Sequence, residues 1–343
     1  MRGRDSQKSK RRSPSDRSRQ GRERPLGKRA AASRVQWHGF RPLFDYWGNE
    51  IKRFYKLETL ASATEGMLRG NDRFVVPSVR DVLGPAPVTS LSFDLFQEGK
   101  YQLVFRLRAG NAKRKQASFG FVVAKAEGTH SKVAAVEHAN LRLLNRRAPD
   151  LVVQPFRGGY IHLPDRLGRS GQGRNVYAYV TQWLSGFHEL GVDRSLQFFV
   201  NTEKPHLFTV GQTEGLKGRM VEIIARSYDA RTGKCMDIPQ VASGDFVVTK
   251  PRQGIPRLKL VACRRMLQRM RPAKILDRIL GASWDWGGRE FRLAPSDPAT
   301  LDDALTHALG RADAHTWIHD YRSAVESGTV PEPEALPLDI LRR

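Results

Sequence analysis

Apolar and polar positions alternate along SFDLF (92–96) and YQLVFRLRA (101–109), and FGFVVAKA (119–126) runs nearly continuously apolar. The intervening QEGK and GNAKRKQ supply turn residues, so the pattern predicts an antiparallel meander of three strands. A helical period then takes over at 132–147. It is followed by the strand-like runs LVVQPF (151–156) and GGYIHLP (158–164), a glycine-rich loop at 165–175, and the apolar strand VYAYVTQWL (176–184). The order is three strands, one helix, two strands.

From about residue 186 the pattern turns mainly helical, with helices expected at 213–228, 264–281, 300–310 and 313–327. DFVVTK (245–250) and RLKLVAC (257–263) form a hairpin between them, and the proline-broken residues 331–343 are a C-terminal tail. Upstream, Phe44, Trp47, Ile51 and Phe54 recur at helical spacing among basic residues, which predicts an amphipathic helix docked by its aromatic face. Residues 74–90 hold Pro77, Gly84, Pro85 and Pro87 and read as a connection. The chain therefore divides into a tail at 1–36, a helical extension and connection at 37–90, a strand-rich region at 91–186, a helical region at 187–330 and the tail at 331–343.

The 343 residues suffice for a substantial core, and no run is long and apolar enough for a membrane span or a secretory signal, which predicts a soluble, cytoplasmic protein. The net charge of +23 is uneven: residues 1–36 carry thirteen basic side chains against three acidic ones and almost nothing apolar, the composition of a disordered arm. Such a field attracts polyanions, nucleic acid or nucleotide among them. Cys235 and Cys263 stand outside any metal-ligand spacing. His315 and His319, one helical turn apart with Asp320 adjacent, form only a partial ligand set.

Two charges sit among apolar neighbours. Lys125 shares a strand face with Phe121 and Val123, because successive side chains alternate. Glu137 falls within the helical stripe of Val133, Val136, Asn140 and Leu144, which implies a buried carboxylate. A buried charge needs a partner, so the two are expected either to meet or to reach solvent separately as surface charges.

The element order, with lysine on the third strand and glutamate on the next helix, resembles the protein-kinase-like fold, in its aminoglycoside and choline phosphotransferase branch. The resemblance spans about residues 90–270. It implies an α+β, two-lobed protein-kinase-like architecture: a small five-stranded antiparallel N-lobe with one helix, and a mainly helical C-lobe. It further implies ATP as cofactor, with Lys125 on the phosphates, Glu137 orienting it, Gly99 in the phosphate-facing turn, and Thr181 to Trp183 along the adenine edge.

Asp245 would then take the catalytic position, acting on a small-molecule hydroxyl. Ser243 and Lys250 replace the histidine and asparagine that normally flank it. Cys263, Arg264 and Arg265 stand where an aspartate would hold Mg2+, so ordinary magnesium-dependent transfer is not expected. The resemblance thus implies a nucleotide-binding protein, either degenerate and noncatalytic or an ATP-dependent phosphotransferase of unusual design that uses Asp229 or Asp237 instead. A nonenzymatic nucleic-acid-associated or scaffold protein, using the basic tail and segment 37–57, is the alternative.

Overall fold

The computed structural model describes residues 34–38, 57–70, 72–99, 101–125, 129–164, 173–193, 197–202, 204–238, 243–250, 254–281, 283–285 and 290–330. The basic tail, the aromatic stripe from Phe44 to Phe54 and the C-terminal tail lie outside the described residues, apart from a first strand β1 (Arg34–His38).

Two helices, α1 (Leu57–Gly70) and α2 (Val75–Leu83), precede the meander of β2 (Val88–Glu98), β3 (Gln102–Asn111) and β4 (Gln116–Ala124). Helix α3 (His130–Arg147) is followed by β5 (Pro155–Leu163) and β6 (Arg174–Gln182). These strands form one sheet in the order β1-β2-β3-β4-β6-β5, antiparallel throughout except for the parallel β1–β2 pair.

One sheet face, carrying Phe93, Phe105, Phe119 and Phe121, is buried under α1 and α2, with Phe74 stacked 6.5 Å from Phe121. Trp37 of β1 closes this core by stacking on Phe93 at 4.2 Å. The other face takes α3 through Leu141, Leu144, Val122 and Tyr179 and is continuous with the core of the C-terminal half.

That half begins with β7 (Phe187–Val192), β8 (Phe198–Val200) and β9 (His206–Leu207), followed by α4 (Val210–Ser227) and β10 (Cys235–Met236). Then come β11 (Phe246–Thr249), β12 (Leu258–Leu260), β13 (Met266–Leu267), α5 (Pro272–Gly281), β14 (Ser283–Asp285), β15 (Glu290–Arg292), α6 (Pro298–Leu309) and α7 (Arg311–Glu326). A five-stranded sheet runs β12-β11-β7-β8-β9, and β10 with β13 and β14 with β15 make two short ribbons. Helix α4 starts at a capping box between Thr209 and Gln212 and sends Leu216, Met220, Val221 and Ile224 into the core.

The fold is α+β, but the expected lobes are corrected. Among the described residues the first sheet has six strands rather than five, and three helices accompany it rather than one. The region expected to be mainly helical from 186 onward contains, besides its four helices, a five-stranded sheet. The kinase-like architecture with a five-stranded, one-helix N-lobe does not hold.

Each difference has a physical cause. Residues 75–83 form a helix because Pro77 sits in its first turn, where no i−4 acceptor is lost, and Asp72 accepts from the N–H groups of Phe74, Val75 and Val76 at 2.6–2.9 Å. β1 is five residues of alternating Val35 and Trp37 inside a basic composition, and β7 to β9 are too short to build a clear period. The helix expected over 264–281 is confined to Pro272–Gly281, because Met266 and Leu267 pair with β10. The 245–263 hairpin is present as β11 and β12.

Candidate functional site

The six-stranded sheet and the β11–β12 hairpin enclose a cavity of about 430 Å³, within the range of small-ligand sites. Its ceiling is the uncovered part of the sheet. A bulge at the end of β2 turns both Phe96 and Gln97 toward it, and alternation along β3 and β4 adds Val104, Gly120 and Val122. Its floor is Val153, Phe187, Val247 and Val261. Two apolar walls thus face each other across a slot.

One edge of the slot is backbone, running from Thr181 and Gln182 at the end of β6 into Trp183 and Leu184. β6 is held here on both sides: Thr181 lies opposite Gly120, and the Gln182 N–H donates to the Gln154 carbonyl at 2.8 Å. Phe96 and Trp183 meet edge to face at 5.0 Å at the mouth, with the Arg106 guanidinium 5.4 Å from the Trp183 ring.

The inner end is polar. Arg264 Nη1 donates to both oxygens of Asp245, at 2.6 and 2.9 Å. Its Nε lies 3.6 Å from Glu137 Oε2, and the guanidinium sits 5.7 Å from the Tyr101 ring. Glu137 Oε1 accepts from the Tyr179 hydroxyl at 2.6 Å and from Gln102 Nε2 at 2.8 Å. The position of Arg264 follows from the hairpin: the Val261 N–H donates to the Asp245 carbonyl, and Asn140 of α3 donates to the Cys263 carbonyl at 3.0 Å.

Burial dominates the electrostatics of this end. It raises the Glu137 pKa above its ordinary 4.5, against the opposing pull of Tyr179, Gln102 and Arg264. It likewise raises Glu189, on the floor beside Gln97 and Asn201. For Arg264, burial acts to lower the pKa, but Asp245 and Glu137 outweigh it and the net direction is up, so the guanidinium stays charged. The Cys263 thiol is pushed up to about 12, first by burial, and is an inert neighbour.

The residues singled out from sequence divide into two groups. Gly99, Thr181, Trp183 and Asp245 line the cavity. Glu137 and Lys125 do not, and they do not pair with each other. Glu137 is fully buried behind the inner end, although Val136 of the expected stripe is 49% exposed, so the buried face of α3 is rotated toward His138 and Leu141.

Lys125 projects to the face of Phe121 and Val123, away from Val122 and the cavity, and its Nζ pairs with Glu98 at 2.9 Å. The bulge that aims Gln97 into the cavity sends Glu98 to that opposite face, which is why the two meet. Gly99 lines the cavity, but its N–H is spent on the Gln102 carbonyl at 2.8 Å. The cation at this site is Arg264, which charge-pattern reasoning read only as an obstacle to metal.

Among the described residues no group of three or more His, Cys, Asp or Glu is placed to hold a metal ion, and His315, His319 and Asp320 lie exposed along α7. Among them, too, no helix is long and apolar enough to cross a membrane. The chain matches no protein-family model and no curated protein sequence.

Proposed function

We propose that the cavity binds a purine nucleotide, with the base between Val104 and Val122 above and Val247 and Val261 below. The observation that carries this reading is the cavity of about 430 Å³, lined by Val104 and Val122 from the sheet, Val247 and Val261 from the hairpin, and Gln182 to Leu184 along one edge. Opposed aliphatic walls suit a planar ring, and an adjacent backbone edge suits the hydrogen-bonding rim of a base. Arg264 at the inner end supplies the charge for phosphate.

Binding rather than phosphoryl transfer is the activity proposed. Asp245, the candidate for positioning an acceptor, gives both carboxylate oxygens to Arg264. Neither Lys125 nor the Gly99 N–H is directed at a phosphate. A guanidinium in place of a metal-bridged carboxylate predicts binding that does not depend on magnesium.

The test is titration of ATP, ADP and adenosine, each with and without Mg2+, followed by calorimetry and thermal shift on wild type and on Val104→Trp, which fills the slot from a half-buried position. All three ligands are expected to bind wild type with Mg2+ making little difference, and the variant is expected to lose them while keeping its circular dichroism. No binding by wild type refutes the reading.

A further inference from the structure

Beyond the cavity mouth the side chains on the same sheet face change from apolar to basic. Val104, Arg106 and Arg108 share that face of β3 at about 7 Å intervals, since alternate residues point the same way. Arg106 lies over Trp183 and donates from Nε and Nη2 to Ser118 Oγ at 3.4 and 3.3 Å. Arg108 is 53% exposed and pairs with Asp94 at 2.9 Å, the acidic group on this path.

The path ends at the β3–β4 turn, where Lys113, Arg114 and Lys115 are all exposed, about 25 Å along the strand from Val104. The turn is a built feature: Asn111 Oδ1 accepts from the N–H groups of Lys113 and Lys115 at 3.0 Å, and Arg114 adopts a positive φ of 60°. Three cations are thus held together on a fixed loop. At the other end Phe96, 59% exposed, stands against Trp183.

We propose that this face is a track for a single-stranded nucleic acid, with its terminal base in the cavity and its backbone running over Arg106 and Arg108 to the 113–115 turn. The inference rests on the nucleotide reading of the cavity. Positive charge alone would suit any polyanion, but a base-sized slot, an aromatic mouth and arginines in one line combine ring stacking with phosphate pairing. An acidic peptide would use the charges and leave the slot and Trp183 idle.

The experiment uses the full chain and a fluorescent ten-nucleotide single strand, titrated by anisotropy across a salt series. In Lys113→Ser/Arg114→Gly/Lys115→Ser, where glycine suits the positive φ, affinity is expected to fall roughly 10-fold at low salt. The slope of log affinity against log salt is expected to fall by about 2, from three lost phosphate contacts. ATP affinity should change less than 2-fold in this variant, and saturating ATP should weaken oligonucleotide binding to wild type.

Unchanged oligonucleotide affinity in the turn variant, with ATP still bound, overturns the track and leaves the nucleotide reading standing. Loss of oligonucleotide binding in the turn variant by a protein that never binds ATP overturns the nucleotide reading, and the placement of the terminal base falls with it. Displacement of the strand by poly-glutamate of equal charge, as effectively as by unlabelled strand, also overturns the assignment to nucleic acid.

Discussion

Arg264 donates to both carboxylate oxygens of Asp245 and lies 3.6 Å from Glu137, so one guanidinium on the residue after Cys263 stands between two buried carboxylates at the inner end of the cavity. Its side chain is 31% exposed, and the carboxylates are almost wholly buried. A cation in this position balances the charge of one carboxylate and remains reachable from the slot.

Replacing Arg264 by Met leaves Asp245 and Glu137 without their shared cation. The expected loss is about 2–3 kcal/mol, below the range for a fully buried pair because part of the guanidinium is solvated. Urea unfolding measures it, and adding Asp245→Asn to Arg264→Met should restore part of the loss.

Asp245→Asn alone frees Arg264 from a charged partner. ATP affinity is expected to rise roughly 3- to 10-fold, about the worth of one ordinary hydrogen bond, with adenosine affinity unchanged. A parallel rise for adenosine would place the effect in the slot instead of at the phosphates.

Lys125→Met removes the cation 2.9 Å from the buried Glu98 and should cost about 1–3 kcal/mol in denaturant unfolding, while the folded fraction binds ATP as wild type does. Lys125→Met/Glu98→Gln should recover part of that stability. A Lys125→Met protein that folds normally but fails to bind ATP would put the lysine back at the phosphates.

Glu137 carries a pH dependence. Burial makes the folded protein hold its proton more tightly than the unfolded chain does, so its contribution is complete below about pH 4.5 and is lost as pH rises through the folded value. Glu137→Gln removes this loss. The stability difference between variant and wild type, followed by chemical denaturation from pH 4 to 8, should move in favour of glutamine as pH rises.

Gly120 lies opposite Thr181 so closely that an added Cβ would clash with the threonine hydroxyl, in the central β4–β6 ladder. Gly120→Ala is expected to cost about 1–3 kcal/mol through overpacking. Thr181→Ala in the same chain should relieve most of it, giving a clear coupling energy in a double-mutant cycle.

Much of this protein was legible along the chain. β2, β3, β4, α3 and the β11–β12 hairpin follow from period and turn residues, and Glu137 is buried as its helical position implies, although the buried face is rotated away from Val136. Lys125 was correctly placed beside Phe121 and Val123, because strand alternation is local geometry. What local pattern could not carry was pairing: the lysine meets Glu98 and the glutamate meets Gln102, Tyr179 and Arg264, partners brought together by a bulge and by a hairpin more than a hundred residues away.

The same division holds for the architecture. Alternating apolar positions determine that a segment is a strand and which face is buried, since side-chain direction is set residue by residue. They do not determine how many strands join a sheet. The parallel edge strand at Arg34–His38 is held by the ring of Trp37 on Phe93, and β7 gains its place by pairing with β11 more than fifty residues further on. Short strands are stabilised by such distant partners, so only the tertiary structure decided the sixth strand, the second sheet and the cavity between them.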